Sequence, residues 1–136
     1  MSVTHFTAKD VTYSRYQDKE VFLGDVLDDS KSAGMSVGYY FNLNKGENNE
    51  WIVTYDEVLV VTRGALTVRF DGGSKTARPG EIIFITKGTK IAYEAGEEDT
   101  PAVYISYPHW LKAQQESEHA HYLQRVKPAP EFSPEG

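Results

Sequence analysis

Trp51-Ile52-Val53-Thr54-Tyr55-Asp56-Glu57-Val58-Leu59-Val60-Val61-Thr62-Arg63-Gly64 decides how the chain is read. A carboxylate, Glu57, stands before four branched apolar residues, and six residues separate it from Gly64. A second block, Arg78-Pro79-Gly80-Glu81-Ile82-Ile83-Phe84-Ile85-Thr86-Lys87-Gly88-Thr89, repeats the texture of turn, short apolar run and turn. Side chains alternate along a strand, so Trp51, Val53, Tyr55 and Glu57 share a face if one strand runs through them, with Asp56 opposite. By the same count Ile91 and Tyr93 share a face, as do Tyr39 and Phe41.

Outward from these blocks the texture stays that of strands: runs of Val, Ile, Tyr, Phe and Thr broken by Gly, Asn, Asp and Pro. The pattern predicts strands near Thr12–Tyr16, Val21–Leu27, Met35–Leu43, Glu57–Thr62, Ala65–Phe70, Ile82–Thr86, Lys90–Glu94 and Ala102–Tyr107. Asp71-Gly72-Gly73 suits the positive φ angles of a tight hairpin turn. The polar run Asn42–Asn49 reads as a surface loop. Many short strands with such turns point to an all-β sandwich or barrel of the jelly-roll kind, occupying residues 1–107 with its core in 34–107. After Pro108 helix formers dominate, predicting a C-terminal α-helix over 108–126 that packs, through a thin apolar stripe, on the outside of the barrel or on a partner chain. Residues 127–136, rich in proline, read as a flexible tail.

The totals bound the function. A chain of 136 residues, 40% hydrophobic and 12% aromatic, makes one domain with a real core. Fourteen basic against twenty acidic residues leave a net charge of −6, which argues against a nucleic-acid or anionic-membrane surface. With no cysteine there is neither a disulfide framework nor a thiolate metal site. The start, MSVTHFTAKD, carries no secretory signal pattern and no apolar run reaches the roughly 20 residues of a membrane span, so a cytoplasmic protein is expected.

The two blocks resemble the paired signature motifs of the cupin superfamily, small β-barrels with an internal pocket. Glu57 and Gly64 keep the first motif's spacing, but its two histidine slots fall on Trp51 and Val53, or on Glu50 and Ile52. The second motif's histidine slot falls on Ile91. One carboxylate remains of four ligands, so no metal site and no cofactor are expected. His119 and His121 do not replace it, because residues two apart on a helix point about 200° apart. Three segments narrow the resemblance: Trp51 with Tyr55-Asp56-Glu57, Ala77–Glu81 with Phe84–Thr89, and Tyr104–Trp110. Over Gly34 to Trp110 they resemble the cupin domain of the ethanolamine-utilisation Q family. Thr86 stands where that family has proline, the chain runs on past Trp110, and the longer N-terminal region of many members is missing.

The resemblance implies a metal-free, usually dimeric barrel in bacteria that break down ethanolamine in protein-shelled compartments, and a family to which acetate kinase activity has been ascribed. No Gly-x-x-x-x-Gly-Lys-Ser/Thr loop supports that activity here, and Lys87–Lys90 reads as a hairpin turn. It also implies that Trp51, Val53, Glu57 and Ile91 line the interior. A carboxyl walled by such residues is desolvated, which raises its pKa and suits it to proton transfer. Glu57 is thus the candidate catalytic or ligand-anchoring residue, against the plainer reading that it holds the barrel together through a tyrosine or backbone group. Tyr39, Trp51, Tyr55, Tyr93 and Tyr104 are the candidate ligand-binding residues, against a pure core role for the aromatics. Tyr104 is taken as inward in preference to Tyr107. The expected function is binding of a small polar metabolite by a metal-independent homodimer. Its rivals are an isomerase or lyase acting on a sugar or hydroxy acid through Glu57 and a tyrosine, and a structural or assembly protein.

Overall fold

The computed structural model describes residues 1–32 and 34–134. A short 3-10 turn, Ala8–Asp10, precedes β1 (Ser14–Tyr16), β2 (Val21–Leu27), β3 (Ser36–Asn42), β4 (Asn48–Ile52), β5 (Asp56–Val61) and β6 (Leu66–Phe70). Then come β7 (Gly73–Ala77), β8 (Ile82–Ile85), β9 (Lys90–Ala95), β10 (Thr100–Tyr107), α1 (Trp110–Gln115), a 3-10 helix at Ala120–Arg125 and β11 (Val126–Pro128). The strands form two antiparallel sheets, one in the order β11-β1-β2-β3-β10-β5-β8 and the other β4-β9-β6-β7. From β3 to β10 the chain passes repeatedly between the sheets, the jelly-roll arrangement of a cupin.

The main core lies between the sheets. Leu59, Val61, Ile83, Ile85 and Tyr104 of the large sheet meet Trp51, Leu66, Val68, Ile91 and Tyr93 of the small one. A second cluster covers the other face of β1–β3, where Tyr13, Phe22, Phe41 and Ala129 pack with Tyr39 and Phe132. Two glycines matter to this packing. Gly64 turns the chain between β5 and β6 with φ +70, which is why the motif holds glycine there. Gly38 lies opposite Tyr104 in the β3–β10 ladder, and a Cβ at that position would strike the Tyr104 phenol and the Gly24 carbonyl.

Several expectations need correction. No single strand runs from Trp51 to Glu57: β4 ends at Ile52, the chain crosses to the other sheet, and β5 begins at Asp56. Trp51, Val53, Tyr55 and Glu57 are nevertheless all buried. The loop at 42–49 is shorter than expected, since Asn42 ends β3 and Asn48 and Asn49 open β4. Asn42 and Asn49 are buried, with Asn42 Nδ2 donating to the Glu47 carbonyl at 2.8 Å and Asn49 Oδ1 accepting from Tyr40 at 2.8 Å. Polarity there serves internal hydrogen bonds rather than solvent. The strand β7 escaped notice because Gly73–Thr76 are exposed on both faces, which leaves no alternation to read.

The helix predicted over 108–126 is broken. Ser117 Oγ donates to the Gln114 carbonyl at 2.8 Å and accepts from the His119 N–H at 3.0 Å, so its side chain takes hydrogen bonds a continuing helix would use. Nor is the segment an outer layer only, because Gln114 is fully buried. The expected flexible tail is docked through residue 134. β11 pairs with β1, Ala129 is buried, and Phe132 stacks on Phe22 with centroids 3.9 Å apart. Proline forbids a helix there but not a short edge strand ending at Pro128. The last two positions of that tail, 135 and 136, lie outside the described residues.

Candidate functional site

Between the sheets a cavity of about 50 Å³ is lined by Tyr16, Leu23, Tyr40, Asn49, Trp51, Tyr55, Glu57, Leu59, Tyr93, Tyr104, Trp110 and Val126. Strand alternation produces this lining. Glu57 and Leu59 point inward from β5, Tyr93 from β9, Asn49 and Trp51 from β4, Tyr104 from β10 and Tyr40 from β3. Trp51, Tyr55, Glu57, Tyr93 and Tyr104 are thus brought together. Tyr104 is buried while Tyr107 is exposed. Tyr39 is not among the lining residues: it points out of β3 into the second cluster, and its neighbour Tyr40 lines the cavity. Val53 and Ile91 belong to the surrounding core rather than to the lining.

Glu57 is the carboxyl of this lining. Its side chain is 6% exposed, and Oε1 accepts a hydrogen bond from the Tyr93 hydroxyl. Burial pushes the carboxyl up to about 7, and the Tyr93 hydrogen bond only partly opposes this. Desolvation, reinforced by the Glu57 charge at Tyr93 and Tyr55 and by Asp25 at Tyr104, raises all three above the usual phenol range, so these phenols stay neutral. A second carboxyl supports the wall. Asp25 Oδ1 accepts from the Tyr104 hydroxyl and, at 2.8 Å, from Trp110 Nε1, and burial raises its pKa against those two hydrogen bonds.

The C-terminal segment completes the site, which the sequence reading missed. Trp110 and Val126 reach the cavity directly. Gln114 Oε1 accepts from Trp51 Nε1 at 3.2 Å and from Thr54 Oγ1 at 2.9 Å, while its Nε2 donates to the His119 carbonyl at 3.0 Å. Arg125 donates to the Tyr16 hydroxyl at 3.0 Å. The signal available was Trp110 and Gln114, four apart and therefore on one face of a helix.

The usual cupin metal does not fit these residues. The lining offers one carboxylate, an amide and phenols, with Trp51 at one histidine slot and no imidazole. Among the described residues no three His, Asp or Glu side chains are placed to hold a metal ion. His121 lies in the 3-10 helix and His119 just before it, with ring centroids 6.4 Å apart and away from the cavity lining. Among the described residues no helix is long and apolar enough to cross a membrane.

Comparison with known proteins agrees with this fold. The profile of the family described as "Ethanolamine utilisation protein EutQ" matches residues 8–112. A curated relative, "Acetate kinase EutQ" of Escherichia coli K12, is 28% identical over 103 residues, which are 72% of this chain and 42% of that one. The chain thus spans about two fifths of the length of the curated relatives it matches. The structure of the Clostridium difficile EutQ protein superposes with a TM-score of 0.61 at 30% identity, covering 67% of this chain and 70% of the other. A Rhizobium leguminosarum protein of unknown function gives 0.66 at 27% identity, covering 80% of this chain and 100% of that one. On the family match over most of its length, this cupin belongs to the EutQ family of ethanolamine-utilisation proteins.

Proposed function

We propose that this chain is a metal-independent cupin that binds a small polar metabolite between its sheets, in the cytoplasm of a cell that uses ethanolamine. The observation that carries the reading is Glu57, a buried carboxyl with one phenol donor in a cavity whose other lining residues are aromatic or aliphatic apart from Asn49. A buried charge without a counter-charge costs several kcal/mol, and a bound polar group offsets that cost. Homodimerisation is part of the proposal. On the outer face of the large sheet, Ile82 and Phe84 of edge strand β8 are 64% and 60% exposed, an apolar surface that a second copy would cover.

The relatives' name carries an acetate kinase activity. Phosphoryl transfer depends on cationic groups around the phosphates, and this cavity is lined by no Lys or Arg. The Lys87-Gly88 segment is a turn, with the Thr89 N–H donating to the Thr86 carbonyl at 3.2 Å. Nothing in the cavity supports carrying that activity over. The acid–base reading has one observation in its favour, the Glu57–Tyr93 hydrogen bond with a carboxyl near neutrality. The volume weighs against a sugar, since pockets for drug-sized ligands run to roughly 300 Å³ or more. Glu57→Gln separates the readings. A binding protein keeps its fold and loses ligand-induced stabilisation; an enzyme keeps its fold and loses turnover; a purely structural barrel changes only in thermal stability.

A further inference from the structure

We propose that the cavity selects a small organic ammonium ion, held by cation–π contact with Tyr40, Trp51, Tyr55, Tyr93, Tyr104 and Trp110 and by Glu57 as its counter-charge. The inference deepens the reading of the cavity as a binding site and rests on it. Three observations on the same cavity lead to it.

The first is charge. Glu57 is buried and among the described residues no Lys, Arg or His lines the cavity, so the positive charge that would balance an ionised Glu57 is left for a ligand to supply. The second is hydrogen-bond polarity. The hydroxyl protons of Tyr93, Tyr40 and Tyr104 go to Glu57, Asn49 and Asp25, and the indole N–H groups of Trp51 and Trp110 go to Gln114 and Asp25. Among the described lining residues only the Tyr55 hydroxyl and the Asn49 amide lack a protein acceptor for their protons. The wall is therefore rich in acceptors and aromatic rings and poor in donors. An ammonium, which is all donor, matches it; a carboxylate, which is all acceptor, does not. The third is size. About 50 Å³ holds roughly four non-hydrogen atoms, the scale of an alkylammonium and too small for a sugar ring.

The chemistry also fixes a pH dependence. The groups facing Glu57 are Tyr93 on β9, Tyr40 on β3, Tyr104 on β10 and Tyr55, with Asp25 of β2 behind Tyr104. The phenols stay neutral, so Glu57 is the group a cation must find ionised. Its carboxyl lies near 7 in the empty cavity, and at lower pH a cation has to displace the proton.

The test is calorimetric titration of the metal-stripped full chain with ethylammonium chloride, ethanol and sodium acetate, at pH 8 and pH 5.5. Ethylammonium should bind where ethanol, of equal size, and acetate do not, and its dissociation constant should be about thirty-fold weaker at pH 5.5. Glu57→Gln should abolish both the binding and its pH dependence; if that variant does not fold, the wild-type pH series alone decides. Binding of ethanol or acetate in preference to ethylammonium, or ethylammonium binding that strengthens at pH 5.5, overturns the ammonium assignment and leaves the binding cavity standing. If none of the three binds at either pH, both fall.

Discussion

Burial holds the Glu57 carboxyl up to about 7 against an ordinary 4.5, so the folded chain retains a proton that the unfolded chain releases. A raised folded pKa contributes stability that is full below about 4.5 and is lost as pH rises through about 7. Glu57→Gln removes that dependence while keeping an acceptor for Tyr93. Urea midpoints measured from pH 4 to 8.5 should show the wild type losing on the order of 3 kcal/mol relative to the variant across this window. A difference that stays flat with pH would mean Glu57 is not desolvated. At Gly38 the limit is space rather than charge. Gly38→Ala drives a methyl into the Tyr104 ring and should cost about 1–3 kcal/mol, with a changed near-ultraviolet circular dichroism spectrum from displaced aromatics. Glu57 was legible because the spacing of the first motif named it, whereas Trp51, Tyr55, Tyr93 and Tyr104 were read only as aromatics that could be core or ligand-binding, and they line the cavity. Tyr40 was not, because Tyr39 and Tyr40 are adjacent and both faces of β3 bury aromatics, so alternation could not choose between them.

The C-terminal elements act as part of the barrel wall. Gln114→Ala leaves Trp51 Nε1, Thr54 Oγ1 and the His119 carbonyl without their partner at a buried position. Equilibrium unfolding should show a loss of about 2–4 kcal/mol; a loss under 1 kcal/mol would mean water replaces the amide freely. Phe132→Ala removes a ring stacked on Phe22 and edged by Tyr13, and should cost about 2 kcal/mol. In hydrogen exchange, the β11 amides bonded to β1 should lose protection before those of β10; uniform loss across the fold would contradict local undocking. The strands with apolar alternation were readable to within a residue or two at most ends. The C-terminal segment was not. Its sequence carries helix formers and prolines, whereas its conformation is set by one serine side chain and by aromatic partners more than a hundred residues earlier.

As a whole, the molecule presents a barrel with a donor-poor cavity at its centre and an apolar outer face on its larger sheet. The sequence already placed the cavity's carboxylate and the missing histidines, since both follow from spacing. It could not give the cavity's volume, which depends on how far Trp110 and Val126 close over it. At this scale Phe84→Lys should convert a dimer to a monomer in light scattering without lowering the melting temperature of the monomeric fold by more than a few degrees; a wild type that is already monomeric would refute the dimer. The central claim is a metal-free binding cavity around Glu57. Its most direct test is a thermal-shift series on the metal-stripped chain, with divalent Fe, Mn and Zn in one arm and small amines, alcohols and acids in the other. A molecule at about 100 times its dissociation constant stabilises by about 2.7 kcal/mol, a shift of several degrees. A small molecule should produce this shift in wild type and not in Glu57→Gln, and the metals should produce none. A strong shift with Fe, Mn or Zn that Glu57→Gln removes would contradict it.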